Sequence, residues 1–172
     1  MGSSMAAEPE PVIDLHSDDY FMGEALRQAA RALAEGEVPC GAVIVREGRI
    51  IARAFNQVET LKDATAHAEM LAITQAESVV GDWRLTDCEL YVTKEPCPMC
   101  AGAVVHVRLK RVIFGCPDPT GGAAGGLLNL LQNESLNHRC EITGGVRGEE
   151  CGEMLREFFR DRRSKAKGLP GG

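Results

Sequence analysis

Along residues 19–35, DYFMGEALRQAARALAE, apolar side chains return every third or fourth position. Phe21, Ala25, Leu26, Ala29 and Leu33 fall on one face, the period of an amphipathic helix. Asp18 is the expected cap at its start and Gly36 the expected stop. The pattern then shortens: CGAVIVR (40–46) and RIIARAF (49–55) flank Glu47-Gly48, which predicts two antiparallel strands joined by a tight turn. TAHAEMLAITQAE, residues 65–77, returns to helix formers, with Thr65 as its expected cap and Met70, Leu71, Ile73 and Thr74 on its inner face. ELYVTK (89–94) predicts a short strand ending before Pro96, and Pro98 suits the first turn of a helix through about Val107, where its missing amide proton costs nothing. KRVIFG (110–115) predicts a further strand, Leu127–Leu131 a short helical segment, and CEITGGV (140–146) a short strand or turn. From Glu150 to about Arg163, the residues Cys151, Met154, Leu155, Phe158 and Phe159 make a final helical stripe that reads as core packing. This alternation predicts a three-layer α/β/α sandwich around a mixed sheet, without internal repeats.

With 172 residues, 44% hydrophobic and 26% charged, the chain suits one ordinary domain and not a disordered segment. Its formal net charge of −6 excludes a protein that coats nucleic acid through a long-range positive field. The acid is unevenly spread. Residues 1–19 hold Glu8, Glu10, Asp14, Asp18 and Asp19 and no base, which leaves −1 for the remainder. Residues 156–167, REFFRDRRSKAK, set six bases against Glu157 and Asp161, a net +4 that could meet phosphates locally. Residues 1–18 read as a flexible leader or cloning remnant and not as a signal peptide, 19–163 as the folded domain, and 164–172 as a flexible basic, glycine-ended tail. No apolar run approaches the roughly 20 residues that span a bilayer, so a cytoplasmic protein without a membrane partner is expected.

Seven cysteines, an odd number without a secretory segment, argue against a disulfide scaffold and direct attention to metal binding. Only Cys97 and Cys100 have ligand spacing, and His67-Ala68-Glu69 precedes them by thirty residues. Two thiolates and one imidazole can hold zinc tetrahedrally while leaving a fourth position for water, whereas a structural site normally takes a fourth protein ligand. The expected helix starts favour the thiolates. Zinc lowers the pKa of such a water toward neutrality, and Glu69 can serve as general acid and base beside it without being a ligand. Taken alone, the Cys-x-x-Cys pair would also suit redox chemistry or structural zinc, but a redox reading leaves His67-Ala68-Glu69 without a task.

With VPCGAVIV, FNQVETLKDATAHAEMLAI, LYVTKEPCPMCAGAVVHVRLKRVIFG, GGAAG, NHRCEITGGV and EECGEMLREFFRDRR in place, the chain resembles the zinc-dependent cytidine and deoxycytidylate deaminase superfamily, and within it the bacterial tRNA-specific adenosine deaminases, from about Asp19 through Arg163. The resemblance implies a five-stranded mixed sheet, a homodimer, one Zn2+ per subunit, and conversion of adenosine to inosine at the wobble position of a tRNA anticodon stem-loop. It implies His67, Cys97 and Cys100 as metal ligands and Glu69 as proton shuttle. It further implies base or sugar contacts by Asn56 and the Ala68 backbone, a water or amino contact by the Pro96–Cys97 backbone, and substrate-side or dimer-edge positions for His106 and Arg108. Asp118, Asn137 and Arg162 would lie toward the RNA. The stretch Pro119-Thr120-Gly121 lacks the lysine expected from many relatives. Rival readings are a deaminase of free guanine, cytosine or deoxycytidylate, a catalytically idle RNA-binding partner, and a structural zinc protein.

Overall fold

A computed structural model describes residues 14–168, so residues 1–13 of the expected leader and 169–172 of the expected tail lie outside the described residues. The chain forms α1 (Asp18–Ala34), β1 (Gly41–Arg46), β2 (Arg49–Phe55), a single turn α2 (Val58–Leu61), α3 (Ala68–Val80), β3 (Cys88–Lys94), α4 (Pro98–Val107), β4 (Arg111–Cys116), β5 (Glu141–Thr143) and α5 (Gly148–Lys167). The five strands lie in the order β2-β1-β3-β4-β5. Strand β1 runs antiparallel to both neighbours, while β3, β4 and β5 are parallel, so the sheet is mixed.

Successive residues of the central strands are buried on opposite faces, which demands a layer on each side. Ala42, Ile44, Leu90, Val92 and Val112 join Ala68, Ala72 and Ile73 of α3 and Val104 of α4 in one cluster. Val43, Val45, Tyr91 and Ile113 join Phe21, Met22 and Ala25 of α1 and Cys151 of α5 in the other. The sandwich follows from this double burial. Gly41 lets α1 press against the start of β1: a Cβ there would lie within 2.1 Å of the Ala25 carbonyl oxygen. At the hairpin, Glu47 and Gly48 both take positive φ, 51° and 74°, the twist that lets two residues join antiparallel strands.

Several local expectations are corrected. Ser17, not Asp18, caps α1 by accepting from the Tyr20 amide at 3.1 Å. Asp18 is drawn away by a tertiary ion pair, with its carboxylate 2.6 Å from Arg111 and 2.7 Å from the Tyr91 hydroxyl. Thr65 does not cap α3, because its amide and hydroxyl both bond Asp63 Oδ1; the helix starts three residues later and ends at Gly81, φ 77°. Leu127–Leu131 is not helical. Its amides return to the Gly122 and Ala123 carbonyls, and a bridge joins Ala124 to Asn129. Residues 164–167, expected in the tail, continue α5, which begins two residues before Glu150. The turn α2 has no apolar periodicity and was not expected.

Candidate active site

The parallel connection β3-α4-β4 and the preceding α3 bring two helix starts together. His67 occupies the position before α3, and Cys97 the same position before α4, with Pro98 opening the helix. Cys100 lies one turn in, so both sulfurs sit at a helix end whose unpaired amides favour negative charge. His67 Nδ1 is 3.6 Å from Cys97 Sγ and 3.5 Å from Cys100 Sγ. A tetrahedral ion bound at ordinary zinc distances would separate nitrogen from sulfur by about 3.6 Å. The three donor atoms all lie within 4.8 Å of one another and form a cluster able to hold a metal ion. Their spacing and their soft N and S character both fit zinc, with three protein ligands and no fourth in this cluster. The hydrogen bond from the Cys100 thiol, aided by His67, holds Cys97 far below the ordinary thiol range despite burial.

Glu69, in the first turn of α3, is 3% exposed, and burial raises its pKa above the ordinary carboxyl value. The Cys40 thiol lies 3.9 Å from Oε1, and hydrogen bonds from the Cys100 thiol and its own amide only partly offset that burial. Asn56, just after β2, donates through Nδ2 to the Val38 carbonyl at 3.4 Å, while its buried Oδ1 has no partner. His67, Ala68, Glu69, Cys97, Asn56, Cys40, Asp118 and Arg162 line one cavity of about 340 Å³, within the range of small-ligand sites. Asn56 Oδ1 is thus an acceptor without a donor on a residue lining the same cavity as His67 and Cys97.

Two further buried acids frame this cavity. Glu95, directly after β3, accepts from the amides of Asp118, Ala124 and Gly126 at 2.9 to 3.0 Å. The glycine-rich loop is therefore tightly folded over a carboxylate. A Cβ on Gly122 would lie 2.1 Å from Glu95 Oε2. Glu37 receives the Glu59 and Thr60 amides and the Thr60 hydroxyl, and so holds α2 at the cavity edge. Burial alone would raise its pKa, but those bonds outweigh it and leave the group below the ordinary value. Asp118 Oδ1 accepts from Thr120 and Gly121, and Oδ2 lies 3.3 Å from Lys94. Arg162 donates to the Gly36 carbonyl at 3.1 Å and stacks 4.9 Å from the centre of Phe158. Phe158 is buried as core packing predicts, whereas Phe159 is 44% exposed and faces the cavity.

Pro96 is buried beside the cluster, and its carbonyl accepts from the Ala123 amide at 2.8 Å. His106, Arg108 and Asn137 are not in this cavity; they line a second groove with Trp83 and Leu136. Arg108 ends α4 in the left-handed region and donates to the Val105 carbonyl and to Asn137 Oδ1. Glu37, Cys40, Lys94 and Glu95 escaped sequence reasoning. An acid immediately before Pro-Cys, together with a glycine-rich loop at residues 117–126, was the one available signal for Glu95.

Residues 15–116 match the cytidine and deoxycytidylate deaminase zinc-binding region. A tRNA-specific adenosine deaminase of Bacillus subtilis is 55% identical over 150 residues, 87% of this chain and 93% of that protein. The chain belongs to the tRNA-specific adenosine deaminases. A structure from studies of A-to-I editing by tRNA:A34 deaminases at the wobble position of transfer RNA superimposes with a TM-score of 0.77 at 40% identity, covering 79% of this chain and 99% of that one. A guanine deaminase structure from Bacillus subtilis is 41% identical with a TM-score of 0.58, covering 64% of this chain and 71% of that one. The family match over residues 15–116 includes His67, Cys97 and Cys100.

Proposed function

We propose that this protein hydrolytically deaminates adenosine to inosine at the wobble position of tRNA anticodon loops, with one Zn2+ per subunit held by His67, Cys97 and Cys100. The observation that carries this reading is a three-donor metal cluster, two of whose residues, His67 and Cys97, line one cavity with the buried carboxylate of Glu69. When bound, the zinc supplies a water made nucleophilic near neutral pH. Glu69 is the group beside it able to take the water proton and return a proton to the purine ring nitrogen, and its raised pKa suits both directions of transfer. Addition of the water oxygen at C6 and loss of ammonia convert adenine to hypoxanthine, so one water is consumed for each ammonia released. Asn56 Oδ1 lacks a donor, which a nucleoside N–H or O–H can supply; Ala68 and Cys97 line the same cavity, while Pro96 is buried behind Cys97. The base must leave its stack to enter, a smaller cost in a single-stranded loop than in a duplex. Asp118 and Arg162 line the same cavity, which supports their meeting the RNA backbone.

Purified zinc-loaded protein incubated with anticodon stem-loops should yield inosine at the wobble position by nucleoside analysis. Folded, zinc-loaded protein that leaves adenosine unchanged in every cognate stem-loop would contradict the reading. The likeness to a guanine deaminase keeps one alternative substrate, and ammonia release from free guanine without RNA editing would favour it. An idle RNA-binding partner fits poorly with a retained Glu69. We also propose a homodimer, supported by the groove where Trp83, 48% exposed, and Leu136 meet His106, Arg108 and Asn137; light scattering should give twice the mass of the chain. Action on tRNA would put the enzyme in the cytoplasm, and among the described residues no helix is long and apolar enough to cross a membrane.

A further inference from the structure

Lys94 closes β3, and its side chain and that of Arg162 are the lysine and arginine lining the catalytic cavity. The acids around Lys94 already have donors. Glu95 holds three loop amides, Glu37 holds α2, and Asp118 Oδ1 takes the Thr120 amide and hydroxyl and the Gly121 amide. Asp118 Oδ2, at 3.3 Å, is the ion-pair partner of Lys94 among the described residues. An ammonium offers three protons, this pairing engages one, and the side chain remains 37% exposed. The loop beside it, residues 117–126, contains neither lysine nor arginine, so positive charge on this wall comes from the strand end.

A nucleoside whose base reaches the His67, Cys97 and Cys100 cluster leaves its phosphates at the mouth of the cavity. We propose that Lys94 binds a backbone phosphodiester oxygen next to the flipped nucleoside while keeping Asp118 as its second partner. The paired ammonium offsets the Asp118 carboxylate, which would otherwise repel that phosphate, and the spare protons reach the anion. Lys94 then stands in for cationic charge that the neighbouring loop does not carry. This inference rests on the reading of the protein as a deaminase of RNA nucleosides. A free nucleotide offers the same phosphate chemistry, so the two sources must be separated.

The test compares wild type, Lys94→Met and Lys94→Arg at matched zinc content, on an anticodon stem-loop over a salt series and on adenosine and adenosine monophosphate. For the stem-loop, Lys94→Met should raise KM about five-fold at low salt with kcat unchanged, and should reduce the slope of log kcat/KM against log salt by about one. Lys94→Arg should restore most of both. An unchanged KM and slope in Lys94→Met would overturn the inference. So would a loss of stability and kcat with the slope intact, which is the signature of a merely structural ion pair, or a loss confined to the monophosphate. If wild type leaves the stem-loop unchanged, the functional reading itself fails and the Lys94 inference falls with it; an active wild type with an unaffected Lys94→Met removes the inference alone.

Discussion

Glu69 at the start of α3 and Glu95 at the end of β3 are each 3% exposed, and their surroundings differ in one respect. Glu95 is met by three backbone amides from the glycine-rich loop, whereas Glu69 meets the Cys40 thiol at 3.9 Å, the Cys100 thiol and its own amide, which together do not offset its burial. Burying a carboxylate costs free energy unless hydrogen bonds replace its water. At Glu95 that replacement folds a loop. At Glu69 it falls short of the cost of burial, and the raised pKa that results is the property a proton carrier needs. Equal burial therefore marks two uses, and the donors around each group distinguish them. Glu37, with three donors from α2, falls with Glu95 on the structural side.

This contrast can be broken one side at a time. Cys100→Ala removes a metal ligand and should drop zinc below one equivalent by atomic absorption, with deamination reduced by at least about 10³-fold. The loop at Glu95 should stay folded, seen as unchanged exchange protection of the Ala124 and Gly126 amides. Glu95→Gln presents an NH2 group to amides that need an acceptor, and should cost about 2 to 3 kcal/mol in urea unfolding while zinc content holds. Gly122→Ala forces a methyl into the Glu95 carboxylate and should cost about 1 to 3 kcal/mol in the same assay, with zinc again retained. The smallest effect lies on the opposite face of the sheet. Arg111 lowers the pKa of Asp18 below its ordinary 3.8, so this pair stabilises the fold fully above that value and loses its contribution as pH falls through the lower, folded-state pKa. Unfolding measured between pH 6 and pH 3 should show wild type losing more stability than Asp18→Asn.

Much of the site was legible because its signals are local. His67, Glu69, Cys97 and Cys100 form two short patterns at helix starts, and Pro98 marks one of those starts within a residue. The α1 periodicity and the Glu47-Gly48 hairpin were equally local and appear where expected, except that Leu33, in the last turn of α1, is exposed. What escaped depends on distant partners. Asp18 has the chemistry of a cap, but Arg111, far along the chain, claims it. Leu127–Leu131 has helix formers, but the Gly122 and Ala123 carbonyls take its amides. Glu37 and Glu95 look like surface acids until the segments they hold are folded around them. His106, Arg108 and Asn137 come together, but in a groove apart from the metal cluster.

The most direct test of the contrast is a single-turnover rate of inosine formation by zinc-loaded Glu69→Gln on an anticodon stem-loop, measured beside wild type at equal metal content. Glutamine keeps the shape and cannot carry the proton. The expected result is a rate loss of about 10²- to 10⁴-fold with unchanged zinc stoichiometry, RNA affinity and unfolding midpoint. A rate within a few-fold of wild type, or a loss explained by released zinc or an unfolded chain, would contradict the assignment of Glu69 to proton transfer.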